Sequence, residues 1–377
     1  MSLGDRRVIA YLKKSTKLVD GHYVAPMLWA EDTSLPNSYG LAAKRLELLS
    51  KRFQRDNLLY EKYKSNIEEF LSKGYARKLT KAEISNNNNR IWYLPHHPVM
   101  NPNKPGKVRT VLDAAAKYDG KSLNDYLITG PDLLNNLVGI LLRFRKNPVA
   151  LVADIEAMYH QVHLTEEDSD AVRFLWKEDF NQKPEVLKML VHFLGAKDSP
   201  CIASFALKKT ALDNKEDFQT CTVEAVLRDF YMDDLIKSCK LESEATTLAS
   251  ELKEMLSRGG FNLRKFNSNS EKVLRSLKAS PNELFDDISF NHEEIGRTLG
   301  IKWNTKTDCF SFSFEVKNLP VTKRSILRQT SSVFDPLGFL SPFVLKAKML
   351  LQELWRLKYS WDDIIEDNNL TTWDNWL

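Results

Sequence analysis

The stretch Asp229-Phe230-Tyr231-Met232-Asp233-Asp234-Leu235-Ile236 (DFYMDDLI) sets two carboxylates side by side between two apolar runs. Neighbouring residues on a strand point to opposite faces, but at a hairpin turn both can reach one edge. Like charges held that close repel, and burial raises their pKa values. Both stay ionised only where cations compensate. Magnesium, which takes oxygen ligands from one or two carboxylates plus substrate phosphates and water, meets that need. Asp233-Asp234 therefore reads as half of a metal site. The other half is expected at a second strand end, and Asp154 closes the apolar run Val149–Ala153. Three aspartates on adjacent strands would hold two Mg²⁺ ions, with Mn²⁺ as a substitute, roughly 3.5–4 Å apart, an arrangement suited to in-line displacement at phosphorus. A solvated surface turn is the alternative for an isolated Asp-Asp pair, so the rest of the chain has to decide.

Length and composition frame the choice. The 377 residues predict two or three domains with real cores. Hydrophobic residues at 43% and charged residues at 28% describe a globular chain and exclude a disordered one. No apolar run approaches the roughly 20 residues of a membrane span, and the N-terminus MSLGDRRVIAYLKK has no secretory pattern. These features predict no membrane partner and a cytosolic or nuclear location. The four cysteines form no C-x-x-C pair and read as reduced thiols. A net charge of +4 announces no polyanion partner, so local clustering must do so.

Ala42, Leu46, Leu49 and Phe53 fall at helical spacing, as do Leu59, Tyr63, Ile67 and Phe70 after a break at Asp56-Asn57. Lys44, Arg45, Lys51, Arg52 and Arg55 lie on opposite faces. Asn86-Asn87-Asn88-Asn89 reads as a polar boundary loop and NPNKPGK (101–107) as a turn-rich loop before the strand Val108–Leu112. Residues 223–238 predict a hairpin and 244–258 a helix ending at Gly259-Gly260. Residues 308–316 alternate as a strand, and helices resume from Thr322.

Several segments in chain order resemble reverse transcriptases. Tyr231-Met232-Asp233-Asp234 is similar to their catalytic hairpin, LVADIEAMY (151–159) to the first metal-binding strand, and KPGKVRTVLD (104–113) to the basic fingers strand. FLGAKDSP (193–200) resembles the loop that positions template and nucleotide, and GGFNLRKF (259–266) and TLGIKW (298–303) the segments after the hairpin, the latter the primer grip. GGFNLRKF, TLGIKW, Thr322-Lys323-Arg324 and VFDPLGFLSP (333–342), with LPNSYGLAAKRLELL (35–49) and FLSKGYARKL (70–79), resemble the BEL/Pao class of long-terminal-repeat retrotransposons over nearly the whole chain.

The resemblance implies an α+β polymerase right hand. Its parts would be an N-terminal helical extension (1–74), fingers (75–125 and 163–197), a palm with an antiparallel sheet (126–162 and 198–305) and a helical thumb or connection (306–377). It implies RNA-directed DNA polymerase activity, adding dNTPs to a primer 3′-OH on an RNA or DNA template. Asp154 and Asp233 would carry both metals, and Asp234 would be a more weakly engaged neighbour. Lys104, Lys107 and Arg109 would clamp the triphosphate, a role that Arg's paired donors suit, with Asp113 supporting the clamp. Tyr159 would stack under the nucleotide sugar and block a ribose 2′-OH, and Gly195, Tyr231 and Met232 would complete the nucleotide site. Lys197, Ser199, Pro200, Leu299 and Gly300 would hold template and primer, and Lys265 would protonate the leaving pyrophosphate. Leu194 departs from the glutamine that retroviral enzymes carry before this glycine, and it cannot make the same hydrogen bonds to the nucleotide sugar.

Other patterns are set aside. Gly120-Lys121-Ser122 lacks the earlier glycine of a phosphate loop, since Ala115 stands there. His160 and His163 have metal-pair spacing but no third ligand, and His96-His97 reads as structural or surface. Trp355, Trp361, Trp373 and Trp376 read as packing. No segment reads as a ribonuclease H or integrase domain, so such domains are expected elsewhere in a polyprotein. Two alternatives remain, a non-catalytic nucleic-acid-binding remnant and an RNA-dependent RNA polymerase; Tyr159 speaks against the second.

Overall fold

The computed structural model describes residues 1–30, 34–85, 90–100, 106–279, 296–298, 301–312, 314 and 316–377. Lys104, Leu299 and Gly300 lie outside the described residues, as does the boundary loop Asn86–Asn89. The fold is mixed α+β with several small sheets. The chain divides into two compact units, the first of residues 1–134, 155–227 and 250–263, the second of 135–154, 228–249 and 264–377. Residues 198–227 and 250–263 group with the first unit, while 135–154 and 228–249 group with the second.

In the first unit, the helices Tyr39–Arg55 and Asn57–Ser72 form where two apolar stripes require them. Asp56 separates them, its carboxylate accepting from the backbone N–H of Leu59 at 3.0 Å. Their stripes bury Ala42, Leu46, Leu49, Phe53, Leu59, Tyr63 and Ile67. Beneath them lies a sheet in the order β3 (Ala76–Lys78), β10 (Glu185–Met189), β9 (Arg173–Trp176) and β4 (Tyr93–Leu94). A separate hairpin joins β5 (His96–Met100) to β6 (Val108–Leu112), with His96 opposite Leu112. The N-terminal extension is not purely helical. After the helix Leu3–Ser15, β1 (Lys17–Val19) and β2 (His22–Ala25) form a hairpin, and β2 pairs in parallel with β8 (His163–Leu164). Its turn, Asp20-Gly21, has φ of 49° and 80°, as the tight hairpin turn with two left-handed residues demands.

The core of this unit holds a pH-sensitive element. His96 is fully buried, its Nε2–H donating to the Leu175 carbonyl at 2.7 Å and its Nδ1 accepting from the Tyr63 hydroxyl at 2.6 Å. Burial holds its pKa down at about 4, and burial does the same to His160, which lies against the rings of Phe70 and Tyr75. The unfolded chain takes up these protons near pH 6.5 and the fold does not. Stability is therefore fully present above pH 6.5 and lost as pH falls toward 4. The expected loss is roughly 3 kcal/mol per imidazole. Urea midpoints measured from pH 7 to 4.5 read it, and His160→Phe should remove its share of the slope.

The second unit is built on an antiparallel sheet in the order β11 (Phe230–Tyr231), β12 (Asp234–Cys239), β7 (Val149–Ile155) and β13 (Leu263–Ser268), all but the terminal Ile155 and Leu263 belonging to this unit. One face of it carries Ala150, Val152, Tyr231 and Ile236, and the helix Leu137–Phe144 covers this face with Ile140 and Phe144. Trp303 joins the same cluster from β15 (Ile301–Asn304), which lies between β14 (Gly296–Thr298) and β16 (Cys309–Ser311). Residues 322–377 form their own cluster. The helices Lys323–Thr330, Ser341–Arg356 and Asp367–Asp374 pack Ile326, Ala347, Leu350, Leu354, Trp373 and Trp376 together. Trp373 and Trp376 are core residues, whereas Trp355 and Trp361 meet edge to face on the surface, with the Lys323 ammonium 3.7 Å above the Trp355 ring. No helix among the described residues is long and apolar enough to cross a membrane.

Candidate active site

The hairpin predicted around Asp233-Asp234 forms. Phe230 pairs with Leu235 and Tyr231 with Asp234, so Met232 and Asp233 are the two turn residues. Met232 has φ of 54°, a left-handed value that such turns usually give to glycine. β12 then pairs with β7 in a register that sets Asp234 directly opposite Asp154. Directly opposed residues share a sheet face and lie about 4.5–5.5 Å apart at Cα. The two carboxylates therefore end the row Ala150–Val152 and Ser238–Ile236, and both are only partly exposed. The resemblance assigns both metals to Asp154 and Asp233; the register sets Asp234 directly opposite Asp154, while Asp233 stands exposed at the turn.

The electrostatics follow from this placement. Burial, and then repulsion by Asp233 and Asp154, push the Asp234 pKa up to about 7, while Lys265 pulls against them. Lys265 sits on β13 with φ of 53°, a left-handed residue inside a strand. Its ammonium donates to Asp154 Oδ2. Arg264 Nε stands 3.4 Å from Asp154 Oδ1, an oxygen that is buried and without a hydrogen bond among the described residues. Sequence reasoning missed Arg264; only its place one residue before Lys265 could have signalled it.

Among the described residues, no three His, Cys, Asp or Glu side chains are drawn together tightly enough to hold a metal ion. The donor set nonetheless suits a hard divalent cation. It offers carboxylate oxygens only, one of them buried and without a hydrogen bond, on a site whose own charges repel. A protein cation, Lys265, meets part of that demand.

The remaining predicted residues belong to the first unit and are placed within it. Lys107 and Arg109 are exposed on and beside β6, the register setting Arg109 opposite Val99. Asp113 does not support them: it pairs with Arg45 of the helix Tyr39–Arg55 at 3.5 Å and accepts from the Ala115 N–H. Tyr159 is half-buried in a short turn of helix that follows the left-handed Ala157. Lys197 and Pro200 are half-buried, but Ser199 is fully buried, its hydroxyl without a hydrogen bond among the described residues, so it lies under the surface it was expected to form. Asn124, which the sequence did not single out, braces this loop, donating to the Gly195 carbonyl and accepting from the Lys197 N–H, each at 3.0 Å. His160 and His163 turn to different neighbours, since His163 stacks on His22 at 4.6 Å.

Gly195 is constrained by the protein itself. Its φ is 127°, and a Cβ there would stand 2.8 Å from the Leu112 carbonyl oxygen of β6. Gly195→Ala is expected to destabilise the fold by roughly 2–4 kcal/mol, combining backbone strain with a clash against main chain. A urea midpoint equal to that of the unsubstituted protein would contradict this account.

The segment 322–377 matches a family model described as Pao retrotransposon-like RNaseH-like domain. This match stands against the expectation that no segment reads as ribonuclease H-like. In overall fold the chain is similar to the solved structure of the foamy viral protease-reverse transcriptase dRH in complex with ds DNA, with a TM-score of 0.50 and 13% identity. The similarity covers 100% of this chain and 57% of that one, so the chain spans little more than half the length of the protein it matches. At that identity the likeness is one of fold. No curated protein matches the chain.

Proposed function

We propose that the chain is a template-directed nucleotidyltransferase, the reverse-transcriptase portion of a BEL/Pao-class retroelement pol protein built as a polymerase right hand. The observation that carries this reading is the opposition of Asp154 and Asp234 on adjacent strands, with Asp233 at the turn beside them. Asp154, Asp233 and Asp234 would hold two divalent ions, which when bound neutralise the leaving pyrophosphate and acidify the primer hydroxyl. The chain's own groups do the rest by position and charge. Lys107 and Arg109, exposed beside and on β6, would hold the triphosphate through charge-assisted hydrogen bonds. Lys265, which donates to Asp154, would leave that carboxylate free when cations bind and would give its proton to the departing pyrophosphate oxygen. Tyr159 lies under the sugar. The likeness of fold to a protein described in complex with double-stranded DNA supports a duplex partner.

One observation favours a second activity, cleavage of RNA in a hybrid: the match of 322–377 to an RNaseH-like family model. Two carboxylates of that segment are already engaged, Asp335 in accepting from the Phe339 and Leu340 N–H groups and Asp362 in pairing with Arg324. A labelled DNA primer on an RNA template, with Mg²⁺ and dNTPs, separates the readings. Primer extension is the expected result; template cleavage without extension would favour the nuclease, and salt-sensitive binding alone the remnant. Tyr159→Ala is expected to relax discrimination against ribonucleotides by at least about tenfold, as loss of a close steric contact allows. Unchanged discrimination would remove Tyr159 from the sugar site.

A further inference from the structure

The quoted stretch opens with a carboxylate that the chemistry above does not use. Asp229 is 2% exposed, yet its side chain is held at both oxygens. Arg143 Nε, from the helix Leu137–Phe144, donates to Oδ1 at 2.8 Å, and Lys237 Nζ, from β12, donates to Oδ2 at 2.7 Å. Arg143 also donates to the Arg228 carbonyl, and its own carbonyl accepts from the Ser238 hydroxyl at 2.9 Å. The Asp229 carbonyl accepts from the Ile236 N–H at 2.9 Å, and Asn135 Nδ2 donates to the Phe230 carbonyl at 2.9 Å. Both strands of the hairpin are thus tied at their far end to one helix.

The hairpin needs such a tie. β11 contributes only the pairs Phe230–Leu235 and Tyr231–Asp234, and its turn puts Met232 in a left-handed conformation that costs energy. So short a ladder holds the turn weakly: β12 keeps its own register on β7 from Asp234 to Cys239, but a slip of β11 along β12 would displace Met232 and Asp233 from beside Asp234. A buried carboxylate between two cations resists such a slip, because any displacement strands charge away from water.

We infer that Asp229 is a positioning residue: clamped by Arg143 and Lys237, it fixes β11 and the turn so that Asp233 stands beside Asp234, and so sets divalent-cation affinity and turnover without touching substrate. This inference rests on the polymerase reading for its effect on turnover, but not for its effect on the hairpin.

The test uses the whole chain. Asp229→Asn keeps the shape of the side chain and removes its charge. Hydrogen exchange in the peptide 228–240 is expected to rise at least about tenfold, with 322–377 unchanged. Mn²⁺ affinity, read by electron paramagnetic resonance, should fall about 10-fold or more, as when outer-shell partners of metal ligands are lost. In primer extension kcat should fall by a similar factor while KM for dNTP stays within about threefold, and Asp229→Glu should recover part of kcat. Exchange and Mn²⁺ affinity within about twofold of the unsubstituted protein would overturn the inference. If Asp229→Asn does not fold, Lys237→Gln and Arg143→Lys each leave one partner in place, and the same readouts decide. A protein that neither binds Mn²⁺ nor extends primers would sink the polymerase reading, while exchange in 228–240 would still judge the clamp.

Discussion

Asp154→Asn is expected to lower primer extension by at least about a thousandfold while leaving primer–template affinity within about threefold, a loss of several kcal/mol of transition-state stabilisation. Asparagine keeps the size of the side chain and one oxygen, so the register of β7 against β12 should survive. What disappears is the charge on which three features converge: the opposed Asp234, the Lys265 ammonium and the Arg264 guanidinium. With Asp154 neutral, one unit of negative charge remains on Asp234 and one on Asp233, too little to hold two divalent ions beside a triphosphate. Duplex affinity should persist because it rests on contacts to phosphates made elsewhere on the chain. Single-turnover extension and a filter-binding titration at fixed salt read the two quantities separately. Extension within about tenfold of the unsubstituted protein would mean that Asp154 is a structural partner of Lys265 and Arg264 rather than a metal ligand.

How much of this could be read in the sequence depended on the range of the interactions. The helices at 39–55 and 57–72 were legible residue by residue, because their apolar periodicity is local and Asp56 marks the break. The strand Val108–Leu112 and the helix ending before Gly259-Gly260 were legible for the same reason. The hairpin β1–β2 was missed although Asp20-Gly21 is a strong local turn signal, because the two helices read after it suggested a helical extension. At the site, residue types singled out three aspartates, but not their pairing. Register depends on a long-range ladder, and it placed Asp234, not Asp233, opposite Asp154. Ser199 and Gly195 show another limit of local reading. Both lie in a loop whose composition suggested a surface for nucleic acid, yet one is buried and the other is dictated by the Leu112 carbonyl. The partners of Asp229 come from a helix some 90 positions earlier and from the next strand, and no local pattern joins them.

Asp234→Asn should make the metal-free protein more stable at pH 8, even as it removes activity. Asp234 is the carboxylate whose ionisation the fold opposes: burial first, then Asp233 and Asp154, raise its pKa to about 7, with Lys265 offsetting part of the cost. The sign follows from proton counting. Between about pH 4 and 7 the folded protein keeps this proton and the unfolded chain has released it, so stability falls as pH rises through that window and levels off above it. Because the carboxylate is only partly buried, solvent screening trims the effect to about 1–2 kcal/mol. His96 and His160 push the opposite way at lower pH, so the informative quantity is the difference between Asp234→Asn and the unsubstituted protein, in which they cancel. That difference should be near zero at pH 4 and grow to its full size by pH 8 in urea unfolding with a chelator present. Adding Mg²⁺ at about a hundred times its dissociation constant should stabilise the unsubstituted protein by about 2.7 kcal/mol, leaving the variant behind. A variant less stable than its parent at pH 8 without metal would show that Asp234 is satisfied within the fold. In that case the strained, self-repelling cluster on which the functional reading depends would not exist.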